Sequence, residues 1–96
     1  MAIRSFGDLA TADLYHGRNT SRARHFPQSI VSAALRKMDV INAAHKIDDL
    51  RSPPGNHLEV LKGNLTGFHS IRVNDQWRII FRWKDDAHDV SLVNYH

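Results

Sequence analysis

A small α+β domain, with helices packed on one face of a mainly antiparallel sheet, is the fold class this sequence predicts. Three observations carry it. Apolar residues recur at helical spacing over residues 27–44, apolar and charged residues alternate over residues 71–83, and Ser52-Pro53-Pro54-Gly55-Asn56 separates the helical half from the strand-rich half. With 96 residues the chain has room for one modest core, so residues 1–96 form a single domain.

Element by element, Ile3-Arg4-Ser5-Phe6 predicts a short first strand. Gly7-Asp8 caps a helix carrying Leu9, Ala10, Ala12 and Leu14, and Gly17 stops it. Thr20-Ser21 caps a second helical stretch. Over residues 27–44, Ile30, Val31, Ala34, Leu35, Met38 and Ile41 form one stripe for burial against a sheet, leaving Ser29, Arg36, Lys37 and Asp39 outward. A helical turn follows at residues 47–51, and two prolines with a glycine end it. The remainder reads as strands at residues 58–62, 68–73, 77–83 and 90–95, with Asp75, Asp85, Asp86 and Asp89 in turns.

Composition narrows the function classes. The chain contains no cysteine, which removes disulfides, thiolate nucleophiles and zinc–thiolate sites and fits a reducing cytoplasm. The first eight residues lack the apolar run of a signal peptide, and no segment is expected to enter a membrane. Lys and Arg exceed Asp and Glu to give a formal charge of +3. Seven basic residues fall in residues 1–46 against Asp8, Asp13 and Asp39, while Arg72, Arg78 and Arg82 sit within strands. Such a field either steers a polyanion to one face or is a solvated basic surface.

The hairpin register sharpens that choice. Trp77, Ile79, Phe81 and Trp83 alternate with Arg78, Ile80 and Arg82. A three-residue loop at Asn74-Asp75-Gln76 puts Val73 opposite Trp77 and Ile71 opposite Ile79, all on the apolar face. The same register sets Arg72 opposite Arg78, with Arg82 further along. Facing like charges destabilise a sheet by roughly 0.2–1 kcal/mol. A bound phosphate would relieve the cluster; alternatively the guanidiniums diverge into solvent, or pair with Glu59 or the carboxyl terminus.

The seven histidines show no helical pair of the kind that binds zinc, so no metal site or cofactor is expected. His69 falls on the apolar face of its strand as a structural residue, and His57 follows the Pro-Pro-Gly-Asn loop within reach of a ligand. Tyr95 and His96 end the last strand. A histidine titrates near ~6.5, which suits proton transfer at neutral pH. A tyrosine needs nearby cations to act as a base. Lys62 ends its strand either beside this group or in solvent.

Arg4-Ser5-Phe6, residues 50–56 (LRSPPGN), residues 58–63 (LEVLKG), residues 70–83 (SIRVNDQWRIIFRW) and the terminal Tyr95-His96 resemble HigB-type toxins of the RelE/ParE superfamily of toxin–antitoxin systems. The likeness spans essentially the whole chain, and the Asn-Asp-Gln-Trp-Arg hairpin with the Tyr-His ending is its most specific part. It implies a microbial ribonuclease-like fold with an N-terminal strand and helices against a curved sheet. It implies an endoribonuclease that cuts messenger RNA in the ribosomal A site without metal, and so inhibits translation. It also implies a HigA-type helix-turn-helix antitoxin and binding of operator DNA by the pair. By position, Lys62 and Arg78 match basic active-site residues, and Tyr95 and His96 match the catalytic carboxyl-terminal pair. Arg72 joins them from the register, while Arg82, His57 and Asn94 are expected to touch RNA. Two departures stand out: Asn94 where relatives often carry aspartate, and Glu59 where some carry a catalytic histidine. Two other functions remain open, a ParE-like gyrase poison and a catalytically weak partner in operator binding.

Overall fold

Four antiparallel strands lie in the sheet in their chain order: β1 (Glu59–Val60), β2 (Phe68–Arg72), β3 (Trp77–Lys84) and β4 (Asp86–Asn94). The computed structural model describes residues 2–94, so Met1, Tyr95 and His96 lie outside it. In the β2–β3 hairpin Ile71 faces Ile79 and Arg72 faces Arg78, the register that the apolar alternation requires. Ile71, Ile79 and Phe81 are fully buried on one face. Helix α3 (Gln28–Ala43) lays Ile30, Ala34, Met38 and Ile41 against them, closing the core. Burying a side chain of this size stabilises by about 1.5–3 kcal/mol relative to exposure, which is why the helical stripe and the strand alternation must match.

Ahead of α3 come two short helices, α1 (Leu9–Tyr15) and α2 (Ser21–Arg24). The Asp8 carboxylate caps α1 by accepting from the Thr11 amide at 2.7 Å, and Gly17 beyond its end adopts φ 73°. The Thr20 hydroxyl caps α2 through the Ala23 amide. Asp13 ties the two helices together. Its buried carboxylate accepts from the Thr20 hydroxyl at 2.8 Å and from Arg22 Nη2 at 2.9 Å, with Arg18 at 3.6 Å. The Thr20 hydroxyl first, and then Arg22, hold its pKa below the ordinary carboxylate value.

Residues 3–6 run beside β4 but touch it as two parallel bridges, Ile3 to Ala87 and Phe6 to Val90, rather than as a continuous strand. The reason is a bulge in β4. Ile80 faces Ser91 while Arg82 faces His88, which leaves Asp89 and Val90 together against Phe81, with Asp89 at φ 55°. The outer edge of β4 is covered in relay. Arg4 and Gly7 donate to the Ala87 and Val90 carbonyls at 2.8 and 2.9 Å, and Thr11 Oγ1 then accepts from the Leu92 amide at 3.0 Å. A Cβ at Gly7 would collide with Ser91 Oγ and stand 3.0 Å from the Asp89 carbonyl, so this crossing needs glycine.

Three further expectations change. The bulge absorbs Asp89, so β4 begins at Asp86 and only Asp85, at φ 64°, makes the turn from β3. β1 is only two residues long because a 3₁₀ turn at Gly63–Leu65 follows closely and Val60 is left exposed. Lys37 does not simply face solvent: its ammonium donates to the Asn56 side chain. Among the described residues, no helix is long and apolar enough to cross a membrane.

Candidate active site on the sheet face away from α3

Alternation along β3 puts Arg78 on the face opposite the core, where it is nevertheless 9% exposed. Its fork meets acceptors from three segments. Nε donates to Ser70 Oγ at 2.9 Å, Nη2 donates to the His57 carbonyl at 2.6 Å, and Nη1 lies 3.6 Å from Glu59 Oε1. Ser70 faces Ile80 in the register, and Glu59 faces Ser70 from β1, so the sheet itself aligns these groups. A guanidinium held this way is pre-oriented, and its planar fork matches the oxygens of a phosphate.

Arg72 shares this face and register position but turns to Asp75 in the hairpin loop. Arg82 lies further along β3, its guanidinium 4.4 Å from the centre of the Phe68 ring and its Nε 3.4 Å from Asp89 Oδ2. Each of the three arginines therefore has a carboxylate neighbour from its own chain. The Arg72 and Arg82 pairs are open to solvent and contribute only ~0–1 kcal/mol, so an incoming anion competes with them readily; at the nearly buried Arg78, Glu59 is half-exposed and stands 3.6 Å away.

The other expected residues fall in different places. His57 ends the Pro54–Asn56 turn with φ 45° and an exposed side chain, and it is the backbone carbonyl that reaches Arg78. Lys62 is exposed and follows Leu61, whose amide donates to the Phe68 carbonyl. It thus stands at the Phe68 end of the sheet, about 10 Å of extended chain beyond Glu59. Asn94 is exposed at the end of β4 opposite Trp77, next to the Val93–Arg78 pair. Tyr95 and His96 lie outside the described residues. His69 is the structural residue expected, stacked on Phe81 with ring centres 6.0 Å apart, and burial lowers its pKa. Among the described residues, no three His, Asp or Glu side chains group so as to hold a metal ion.

Ser70 and Asn56 were missed by sequence reasoning. Ser70 had a signal, since it lies two positions from Arg72 on the same strand face. The His57 carbonyl had none, because a backbone acceptor leaves no trace in residue identity.

The chain is a toxin: it belongs to the family of RelE-like toxins of the type II toxin-antitoxin system HigB, which it matches over residues 4–96. It is 53% identical to Toxin HigB-1 of Vibrio cholerae over 74 residues, which is 77% of this chain and 75% of that one. A protein of Haemophilus influenzae described as uncharacterized is 43% identical over 70 residues, covering 73% of this chain and 69% of its own. The solved YoeB/ParE toxin from Agrobacterium tumefaciens aligns over 100% of this chain and 99% of its own, at 17% identity and a TM-score of 0.48. Membership of a toxin–antitoxin family implies an antitoxin as partner.

Proposed function

We propose that this toxin is a ribosome-dependent endoribonuclease that cuts messenger RNA in the A site and so stops translation in the cytoplasm. The observation that carries this reading is Arg78: a nearly buried guanidinium oriented by Ser70, the His57 carbonyl and Glu59 on a face it shares with Arg72. Family membership supports it.

The reaction is in-line attack by a ribose 2′-hydroxyl on the adjacent phosphate, forming the new P–O bond as the 5′-oxygen departs. The products are a 2′,3′-cyclic phosphate and a 5′-hydroxyl. The nucleophile belongs to the substrate, so no metal-bound water is required. Arg78, with Arg72 beside it, neutralises the charge that grows on the phosphorane; a group of this kind contributes on the order of 10²–10³ in rate. Tyr95 takes the 2′ proton or stacks on a splayed base, and His96 protonates the leaving oxygen. Lys62 adds a further positive charge to the catalytic group, and Arg82, His57 and Asn94 contact the flanking RNA. The ribosome supplies alignment by holding the codon in a reactive geometry. The antitoxin is of the HigA helix-turn-helix type, and the pair binds its own operator DNA.

Primer extension on a defined messenger RNA in a purified translation system tests this, with and without ribosomes, for wild type and His96→Gln. Codon-phased cuts that require both ribosomes and His96 establish the reading. Equal cutting by the mutant removes His96 from the site. No cuts by folded protein that still arrests growth would point instead to gyrase, read as gyrase-dependent DNA breaks.

A further inference from the structure

Arg78 is held by more than its own sheet. The acceptor of its shortest hydrogen bond among the described residues, the His57 carbonyl, belongs to a loop with no strand or α-helix to fix it. That carbonyl is aimed by a backbone at φ 45°, ψ 57°. The left-handed region is disfavoured by roughly 1–2 kcal/mol for a residue with a Cβ, so something must hold His57 there.

Asn56, immediately before it, is fully buried and has its amide satisfied on every side. Nδ2 donates to the Leu50 carbonyl at 3.1 Å and the Ser52 carbonyl at 3.3 Å, and Oδ1 accepts from the Lys37 ammonium of α3. Its own amide donates to the Pro53 carbonyl at 3.0 Å, and that of His57 to the Pro54 carbonyl at 3.1 Å. The side chain is thus bonded to α3 and to the segment before the loop, while the next residue, His57, presents its carbonyl oxygen to Arg78. Neither an apolar residue nor an aspartate can replace it: the first leaves two carbonyls bare, and the second turns a carboxylate on them.

We infer that Asn56, anchored by Lys37, is a positioning residue for Arg78, setting the His57 carbonyl that orients the guanidinium toward phosphate. Its catalytic consequence rests on the nuclease reading of the same site, while its structural consequence does not. A misplacement of this kind slows chemistry more than it weakens binding.

The test is single-turnover cleavage in the ribosome assay, with rate and half-saturating ribosome concentration measured separately. Asn56→Ala is expected to slow saturated cleavage on the order of a hundredfold, with half-saturation unmoved. Placed in an Arg78→Lys background, the same substitution adds little further loss, because the group it positions is already gone. A loss of equal size in both backgrounds overturns the positioning role, as does a half-saturation that shifts in step with the rate. If Asn56→Ala does not fold, Lys37→Met keeps the packed stem and is read the same way with a smaller loss. If wild type cuts no RNA, the nuclease reading fails and the positioning role is judged on free protein. The Arg78 Nε–Hε resonance should shift and exchange faster in the variant while the β3 amides keep their protection. An unchanged Arg78 signal overturns it.

Discussion

Arg72 and Arg78 stand directly opposite one another across the β2–β3 hairpin, yet their guanidiniums take different partners. Arg72, with its side chain 36% exposed, pairs with Asp75 in the hairpin loop. Arg78, at 11%, is drawn inward by Ser70, His57 and Glu59. The pair is one cation held fast against the sheet and one near solvent, which makes their substitutions unequal.

Arg78→Ala should reduce ribosome-dependent cleavage by on the order of 10²–10³, whereas Arg72→Ala should stay within about tenfold, because its supporting charge is partly exposed and shared with Asp75. Initial rates of primer-extension products give both numbers, and comparable losses would break the asymmetry.

Acid should loosen the joint between α1 and α2. Asp13 has a pKa depressed by the Thr20 hydroxyl and then by Arg22, so the unfolded chain binds its proton more readily. Its stabilisation is complete above the unfolded value of 3.8 and disappears as pH falls through the folded one. Asp13→Asn is expected to melt at a lower temperature at neutral pH and to lose less on acidification. Parallel melting-temperature curves for the two proteins would disprove it.

A second window belongs to His69. Burial against Phe81 lowers its pKa from 6.5, so between the folded value and 6.5 the unfolded state carries more protons and stability rises with pH. Denaturant midpoints for His69→Phe should lack that rise. A slope as steep as in wild type would assign it elsewhere.

Thr11 is fully buried, and its hydroxyl is the acceptor for the Leu92 amide on the outer edge of β4. Thr11→Val keeps the shape and strands that amide, which should destabilise by about 1–3 kcal/mol. Thr11→Ser should retain most of the stability. Urea unfolding supplies the energies, and hydrogen exchange at Leu92 shows whether that amide is the one released.

Much of this molecule was legible wherever a repeat distance had only one solution. The stripe on α3 and the alternation in β3 left a single hairpin register that buried both apolar sets, and Arg72 opposite Arg78 followed from it. Asp8, Gly17 and Thr20 marked helix ends through chemistry carried by each residue alone. Long-range polar partnerships were not legible. Asp13 meets Arg22 and Lys37 meets Asn56 through geometry that no local period encodes. The bulge at Asp89 hid the start of β4, because an acidic residue in a strand reads as a turn until the extra residue is seen. At the site, the arginines were visible as alternating charges, but the oxygen that aims Arg78 belongs to the main chain.

The relay along β4 also bears on the order of folding. The Ser5 hydroxyl that accepts from the Asp89 amide is made 84 residues before its partner, and Thr11 precedes Leu92 by 81. The covering segment must wait for most of the chain to be synthesised, then close a very long loop, a late step set by topology more than by local preference. In the interval a nascent β4 has an open edge able to pair with a neighbouring chain. Asp86 and Asp89 supply negative charge along that stretch, the kind of residue that discourages such pairing until the first residues arrive.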